Sequence, residues 1–298
     1  MEHKSFYSQI SENKWKSYAL FGAVLALVFI LGFFFAYLMD AGPLGMFAVA
    51  AFAIVYSLGG YYYSDKIVLA ATGARPVRKE EYPHLFHTAE GLAIAAGIPA
   101  PKLYIIDDAS PNAFATGRDP KNSVIAVTSG LVALMDRQEI EGVLAHEMSH
   151  IQNYDIRFAT LVVVLIGMIG IMSNIFMRYF FWFGGGRGGG ERKGGGGAFI
   201  LIIGILFMVL APIAAQLVRL AISRKREFLA DASAAKLTRN PDGLASALEK
   251  LGKNKQPLKS ASDSTAPLFI VNPFAGKLAG LFSTHPPIEE RVKALRAM

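Results

Sequence analysis

Asp136 to His150 reads DRQEIEGVLAHEMSH, and this stretch decides what the rest of the chain has to build. Asp136 stands where a helix N-cap would, and Glu139 occupies the position that answers it in a capping box. Ile140, Val143 and Leu144 then recur at helical spacing. On such a helix His146 and His150 fall one turn apart on one face, so both imidazoles can reach a single metal ion. Glu147 sits beside that ion and not on it, where it can take a proton from a water molecule. The pentapeptide HEMSH also occurs by chance. Here it lies on a helical segment behind the small, apolar Gly142-Val143-Leu144-Ala145. His3, His84 and His87 have no comparable surroundings, and the last two read as surface residues of an amphipathic helix.

A catalytic zinc takes three protein ligands and keeps one position open. The chain has no cysteine, which excludes a thiolate ligand, a disulfide framework and a Cys nucleophile. No third histidine follows His150 closely, so the missing ligand is expected to be an acid elsewhere. Glu227, in Arg226-Glu227-Phe228-Leu229-Ala230-Asp231, is the best candidate. Glu227 and Asp231 share a helical face, so one can bind metal while the other orients a ligand imidazole. Taken alone, the pair reads as surface acids on a basic helix. Its position changes that, because an apolar hairpin separates it from His150. If this hairpin leaves and re-enters the same membrane face, the two helices become neighbours.

Composition points to the membrane. Hydrophobic residues make up 53% and charged residues 18% of 298 positions, against about 45–50% and about 25% in an ordinary soluble domain. The excess is concentrated in four charge-free runs: Tyr18 to Met39, Leu44 to Tyr63, Phe158 to Met177 and Ala198 to Val218. Each approaches the roughly 20 residues that span a bilayer core. The first pair turns at Asp40 to Pro43. A cleaved signal peptide is the alternative for the first run, but its apolar core is too long and no small-x-small site follows. Buried core helices are the alternative for the second pair. Its length and the cluster Tyr179, Phe180, Phe181, Trp182 and Phe183 favour spanning. Gly184 to Gly197, with ten glycines, is expected to be a flexible loop; its blocks of glycine between membrane runs do not suit a phosphate cradle.

The expected organisation is therefore a membrane hairpin over 1–63, a first domain part over 64–157, a second hairpin over 158–222 and a second domain part over 223–298. Lys14, Lys16, Arg219, Arg224, Lys225 and Arg226 put the N-terminus and both domain parts in the cytoplasm. Arg187, Arg192 and Lys193 in the outer loop run against this. Net charge is +7, and residues 219–298 hold fourteen basic against seven acidic side chains. The basic charge thus faces anionic head groups, and no motif supports nucleic acid. Within the domain, the spacing predicts a helix over Tyr82 to Ala96 and a strand over Lys102 to Ile106. A hairpin is expected from Asn112–Gly117 and Ser123–Thr128, helix over 223–251 with a new start at Pro241, and a last helix over Ile288 to Ala297. Residues 252–283 read as loop.

Taken together, two N-terminal spans, HEMSH, a second apolar pair, REFLAD and Ser283-Thr284-His285-Pro286-Pro287 resemble the HtpX-type membrane zinc metalloproteases, relatives of the CAAX prenyl proteases. The resemblance covers nearly the whole chain. It implies a zincin-like fold, mainly α with a small β-sheet (α+β), and four transmembrane helices in two hairpins. It also implies one Zn²⁺ per chain on His146, His150 and Glu227, with Glu147 as general base and Asp231 as the acid behind a ligand. Asn112, Ala113 and Phe114 resemble the substrate-edge strand, His285 the His-Pro residue that contacts substrate or oxyanion, and Arg291 its structural partner near the site. The outer glycine loop is longer and more basic than the pattern, and 252–275 matches nothing in it.

The expected activity is endopeptidase cleavage of membrane or misfolded proteins at the cytoplasmic face of a prokaryotic plasma membrane, as quality control. A prenyl-protein protease and a non-proteolytic membrane scaffold are the alternatives. An intramembrane protease is disfavoured by Glu139, Glu141, Gln152, Asn153, Asp155 and Arg157, which keep the HEMSH helix polar at both ends.

Overall fold

The structure is a computed structural model and describes residues 6–38, 42–166, 224–254, 256–274 and 286–298. Two long helices come first, α1 (Phe6–Leu38) and α2 (Gly42–Tyr62). At 1.5 Å per residue, the 33 residues of α1 make a rod of about 50 Å, longer than a hydrocarbon core of about 30 Å. Its polar start, which carries Asn13 and Ser17, lies ahead of the apolar run. Among the described residues α2 is the one helix long and apolar enough to cross a membrane, at a mean hydropathy of 1.7. Its Leu44, Phe47, Phe52 and Val55 are exposed, as lipid-facing side chains would be. Trp15, Tyr18, Tyr62 and Tyr63 are exposed aromatics near the domain-side ends of the two helices. Of the expected third span only 158–166 is described. Residues 155–166 are helical, and Phe158, Leu161, Val162 and Leu165 are buried against Leu20, Phe21 and Leu25 of α1. The rest of the second hairpin and the glycine loop lie outside the described residues.

The domain begins with α3 (Ser64–Thr72) and the two-residue β1 (Arg75–Pro76). There follow α4 (Pro83–Ala96), β2 (Lys102–Ile106), β3 (Ala113–Gly117) and β4 (Ser123–Thr128). Pro83 starts α4, and Gly97, at φ +67°, ends it in the left-handed conformation that glycine adopts freely. The four strands form one mixed sheet in the order β1-β2-β4-β3. The expected β3–β4 hairpin is there, antiparallel, with Ala113 opposite Val127. β2 lies parallel to β4 on the far side, which leaves β3 at the sheet edge.

α5 (Ser129–Leu134) and α6 (Arg137–Gln152) follow. Asp136 and Glu139 make the expected capping box, and Val143, Leu144, Met148 and Ile151 are fully buried. At about 1.5–3 kcal/mol for each such side chain, α6 is the pillar of the core. Across it lie α7 (Arg224–Thr238), α8 (Pro241–Lys253) and α9 (Ile288–Leu295). α6 and α8 approach so closely that a Cβ on Gly142 would stand 2.6 Å from Leu244 N, and one on Gly243 2.7 Å from Gln138 O. α6 does not run on toward Phe158. It ends at Gln152, and Tyr154 at φ +60° turns the chain before the next helix starts.

Candidate metal centre

α6 and α7 cross with three side chains between them. His146 and His150 come from α6, with ring centroids 4.7 Å apart and planes at 90°. Glu227 comes from the first turn of α7. The Nε2 atoms of the two histidines are 3.2 Å apart. Glu227 Oε1 lies 3.6 Å from His150 Nε2, and its Oε2 3.7 Å from His146 Nε2. Tetrahedral ligands at zinc–ligand distances of about 2.0–2.2 Å are about 3.3–3.6 Å from one another. The residues therefore fit one small cation.

The other nitrogen of each imidazole makes the same point. His146 Nδ1 meets Asp231 Oδ1 at 2.9 Å, and His150 Nδ1 meets Asp155 Oδ2 at 3.0 Å. A carboxylate on each Nδ1 draws the proton there and leaves both Nε2 lone pairs facing one point. Two lone pairs at 3.2 Å repel unless a proton on one of them or a metal cation lies between them. Burial pushes the His146 imidazole down from its ordinary value, against the bond to Asp231. Burial acts the same way on His150, but Asp155, Glu227 and Glu147 override it and raise that imidazole to about 9.

Asp231 is itself held. Arg291, fully buried on α9, donates from Nε to Asp231 Oδ2 at 2.8 Å and from Nη2 to Oδ1 at 2.7 Å. This two-pronged pair holds the Asp231 carboxyl below its usual range although burial pulls the other way. Arg291 also lies 3.4 Å from Glu227 Oε2 and donates to Ile270 O at 3.3 Å. The helix after the His-Pro segment is thereby tied to both halves of the centre.

Glu147 is 2% exposed. Burial, with the Glu227 charge adding, raises its carboxyl to about 7, while His150, Arg291 and a backbone hydrogen bond from Ala115 act in the opposite direction. A carboxylate poised near neutrality suits a group that takes and returns a proton. It opens on a cleft lined by Ala115, His150, Ile156, Pro267 and Leu268 among others.

Of the residues expected along the substrate strand, Ala113 and Phe114 lie on β3 with Asn112 just before it. The Phe114 side chain is buried against Phe269, with centroids 5.1 Å apart. Asn112 donates from Nδ2 to Val271 O at 3.1 Å, and Ala113 O accepts from Ile270 N at 2.9 Å. The stretch 267–271 thus lies along the start of β3, and Ala115 is the strand residue that faces the cleft. His285 lies outside the described residues. Sequence reasoning missed two contributors. Ala115 is one; no pattern marks a backbone group. Asp155 is the other; it was visible only as an acid five positions after His150.

The profile of Peptidase family M48 matches residues 80–298. A Protease HtpX homolog of Dictyoglomus thermophilum is 47% identical over 300 residues, spanning 100% of this chain and 96% of that one. One from Thermoanaerobacter pseudethanolicus is 44% identical over 298 residues, spanning 100% and 99%. The crystal structure of S. mikatae Ste24p shares the fold at a TM-score of 0.50 and 22% identity, over 97% of this chain and 67% of that chain. The family match takes in α6, α7 and α9 together, and the relatives match from end to end, so the chain belongs to Peptidase family M48 and is an HtpX-type metallopeptidase.

Proposed function

We propose that the chain is a membrane-anchored zinc endopeptidase that cleaves membrane or misfolded proteins at the cytoplasmic face of a prokaryotic plasma membrane, in protein quality control. The observation that carries this is the convergence of His146 Nε2, His150 Nε2 and Glu227 within 3.7 Å, with Glu147 beside them. Zinc suits two imidazoles and one carboxylate with no thiolate. Bound there, one Zn²⁺ would polarise the scissile carbonyl and bring the pKa of water down to about 7.

The chain's own residues do the rest. Glu147 takes the proton of the attacking water and hands it to the leaving amine nitrogen. Asp231 and Asp155 hold the two imidazoles in the tautomer that turns Nε2 to the metal, and Arg291 holds Asp231. The edge of β3 at Ala115, where it faces the cleft, aligns the main chain of a substrate, with Asn112 fixing the start of that strand, and His285 assists the carbonyl oxygen. The membrane hairpins 1–63 and 158–222 keep the two domain parts, 64–157 and 223–298, against the bilayer, where loops and ends of membrane proteins come within reach.

The test uses the full chain in detergent micelles with casein as substrate. Glu147→Gln should keep about one zinc per chain and lose cleavage, and a chelator should abolish cleavage by the parent. Retained cleavage by Glu147→Gln, or a parent that binds no metal, would overturn the proposal. Because the chain has no cysteine, single Cys residues at exposed positions such as Lys79 and Lys253 give an unambiguous labelling test of sidedness.

A further inference from the structure

We infer that Asn13, on α1, and Asp155 are positioning residues of the metal centre. The amide holds the carboxylate, the carboxylate holds the His150 imidazole, and α1 is thereby a working part of the metal site. This rests on the assignment of His146, His150 and Glu227 as ligands.

Two arms orient the two imidazoles. The His146 arm runs through Asp231 to Arg291 and stays within the peptidase domain. The His150 arm runs through Asp155 and leaves it. Asp155 Oδ2 faces His150 Nδ1 at 3.0 Å, and its Oδ1 accepts from Asn13 Nδ2 at 2.7 Å. Asn13 also donates from Nδ2 to Asn153 O at 3.0 Å. Both partners are acceptors, so both amide hydrogens are used and only the nitrogen end of the amide fits. Asn13 and Asp155 are buried, at 6% and 8% exposure. Arg226 Nε, 3.7 Å from Asp155 Oδ1, is the cation that faces the carboxylate from α7.

The intervening turn is shaped for this contact. Tyr154 stands at φ +60°, a left-handed conformation that strains a residue with a Cβ. The turn brings Asp155 back toward the helix face that carries His150. α1 clasps it at two more points: Lys14 Nζ lies 4.2 Å over the Tyr154 ring, and Arg157 Nη1 donates to Tyr18 Oη at 3.3 Å. A strained turn held by a neighbouring element is the pattern of a conformation kept for function. Seating of α1 then strengthens retention of the metal.

The experiment measures Zn²⁺ affinity by chelator competition, and the Co²⁺ absorption spectrum, on the full chain in detergent micelles. Asp155→Ala should weaken Zn²⁺ binding by about 10–100-fold, the usual effect of removing a group behind a ligand. Asn13→Ala should weaken it by about 2–10-fold, the scale of one hydrogen bond, and should shift the Co²⁺ bands. That factor should vanish in an Asp155→Ala background and persist in an Asp231→Ala background, because it acts through Asp155 alone. Asp155→Asn keeps the packing but loses one of the two bonds whichever way its amide turns. Parent-like affinity and spectrum in Asn13→Ala, or an undiminished factor in the Asp155→Ala background, would overturn the inference. If His146→Ala and Glu227→Ala also bind like the parent, the ligand assignment falls with it; if those two lose metal while Asn13→Ala does not, only the positioning role falls.

Discussion

Glu147→Gln should make the metal-free protein more stable, and by an amount that grows with pH. Glu147 holds its proton until about pH 7 in the folded chain, against 4.5 for an ordinary glutamate, because burial penalises the charge. In the unfolded chain the same carboxyl ionises through 4.5. Between the two values folding must take up a proton, so the parent is most stable below 4.5, loses stability as pH rises, and levels off above 7. A tenfold change in proton affinity is worth about 1.4 kcal/mol, which makes the full loss about 3 kcal/mol. Glutamine keeps the shape and can accept the Ala115 hydrogen bond, yet carries no charge at any pH. Every other titrating group is present in both proteins, so their difference reads Glu147 together with its coupling to His150. The check is thermal unfolding of the chelated proteins in micelles, followed by circular dichroism from about pH 5 to about pH 8.5. About 3 kcal/mol corresponds to a midpoint shift of roughly 6–12 °C for a domain of this size, approached at about pH 8 and nearly absent at about pH 5. A difference that stays flat with pH, or a variant less stable than the parent at about pH 8, would refute the reasoning. Zinc should shrink the difference, because a cation beside Glu147 favours its charged form.

Other perturbations separate the parts of the fold. Arg291→Met leaves Asp231 buried without its cation and should cost about 3–5 kcal/mol of stability together with Zn²⁺ affinity, read by denaturant unfolding and metal analysis. Gly142→Ala drives a methyl group into the backbone of α8 at Leu244 and should destabilise by about 1–3 kcal/mol, visible as a lowered melting point. Asp136→Ala removes the N-cap that accepts from Gln138 N and Glu139 N and should cost about 1 kcal/mol while leaving zinc content unchanged. Peptidase activity of the parent should rise with pH as Glu147 ionises, with the midpoint below about 7 in the zinc-loaded enzyme; a midpoint unmoved by Glu147→Asp would assign the profile to another group.

What the sequence made legible in this molecule was local. Asp136 and Glu139 announced α6 because a capping box closes within four residues, and Gly97 ended α4 because only the next turn decides its conformation. His146, Glu147 and His150 were found because they share a helix, and Glu227 with Asp231 because they share another. The two-residue β1 left no signal, since its pairing with Ile105 and Tyr104 comes from tertiary contact. The short α3, with a single acid in its first turn, also passed unnoticed. Asp155 failed for a more instructive reason. An acid immediately before a buried apolar helix cannot stay there unpaired, because desolvating an isolated carboxylate costs several kcal/mol. That argument demanded a partner without naming it. A helical spacing would have carried Asp155 past His150, and only the left-handed turn at Tyr154 brings it back. Its second partner, Asn13, comes from α1, ahead of the residues that the peptidase family profile matches. Spacing rules therefore locate metal ligands, which neighbouring positions on a helix supply. They are blind to the groups that aim those ligands, which arrive from turns and from distant helices and are betrayed only by a buried charge that needs company.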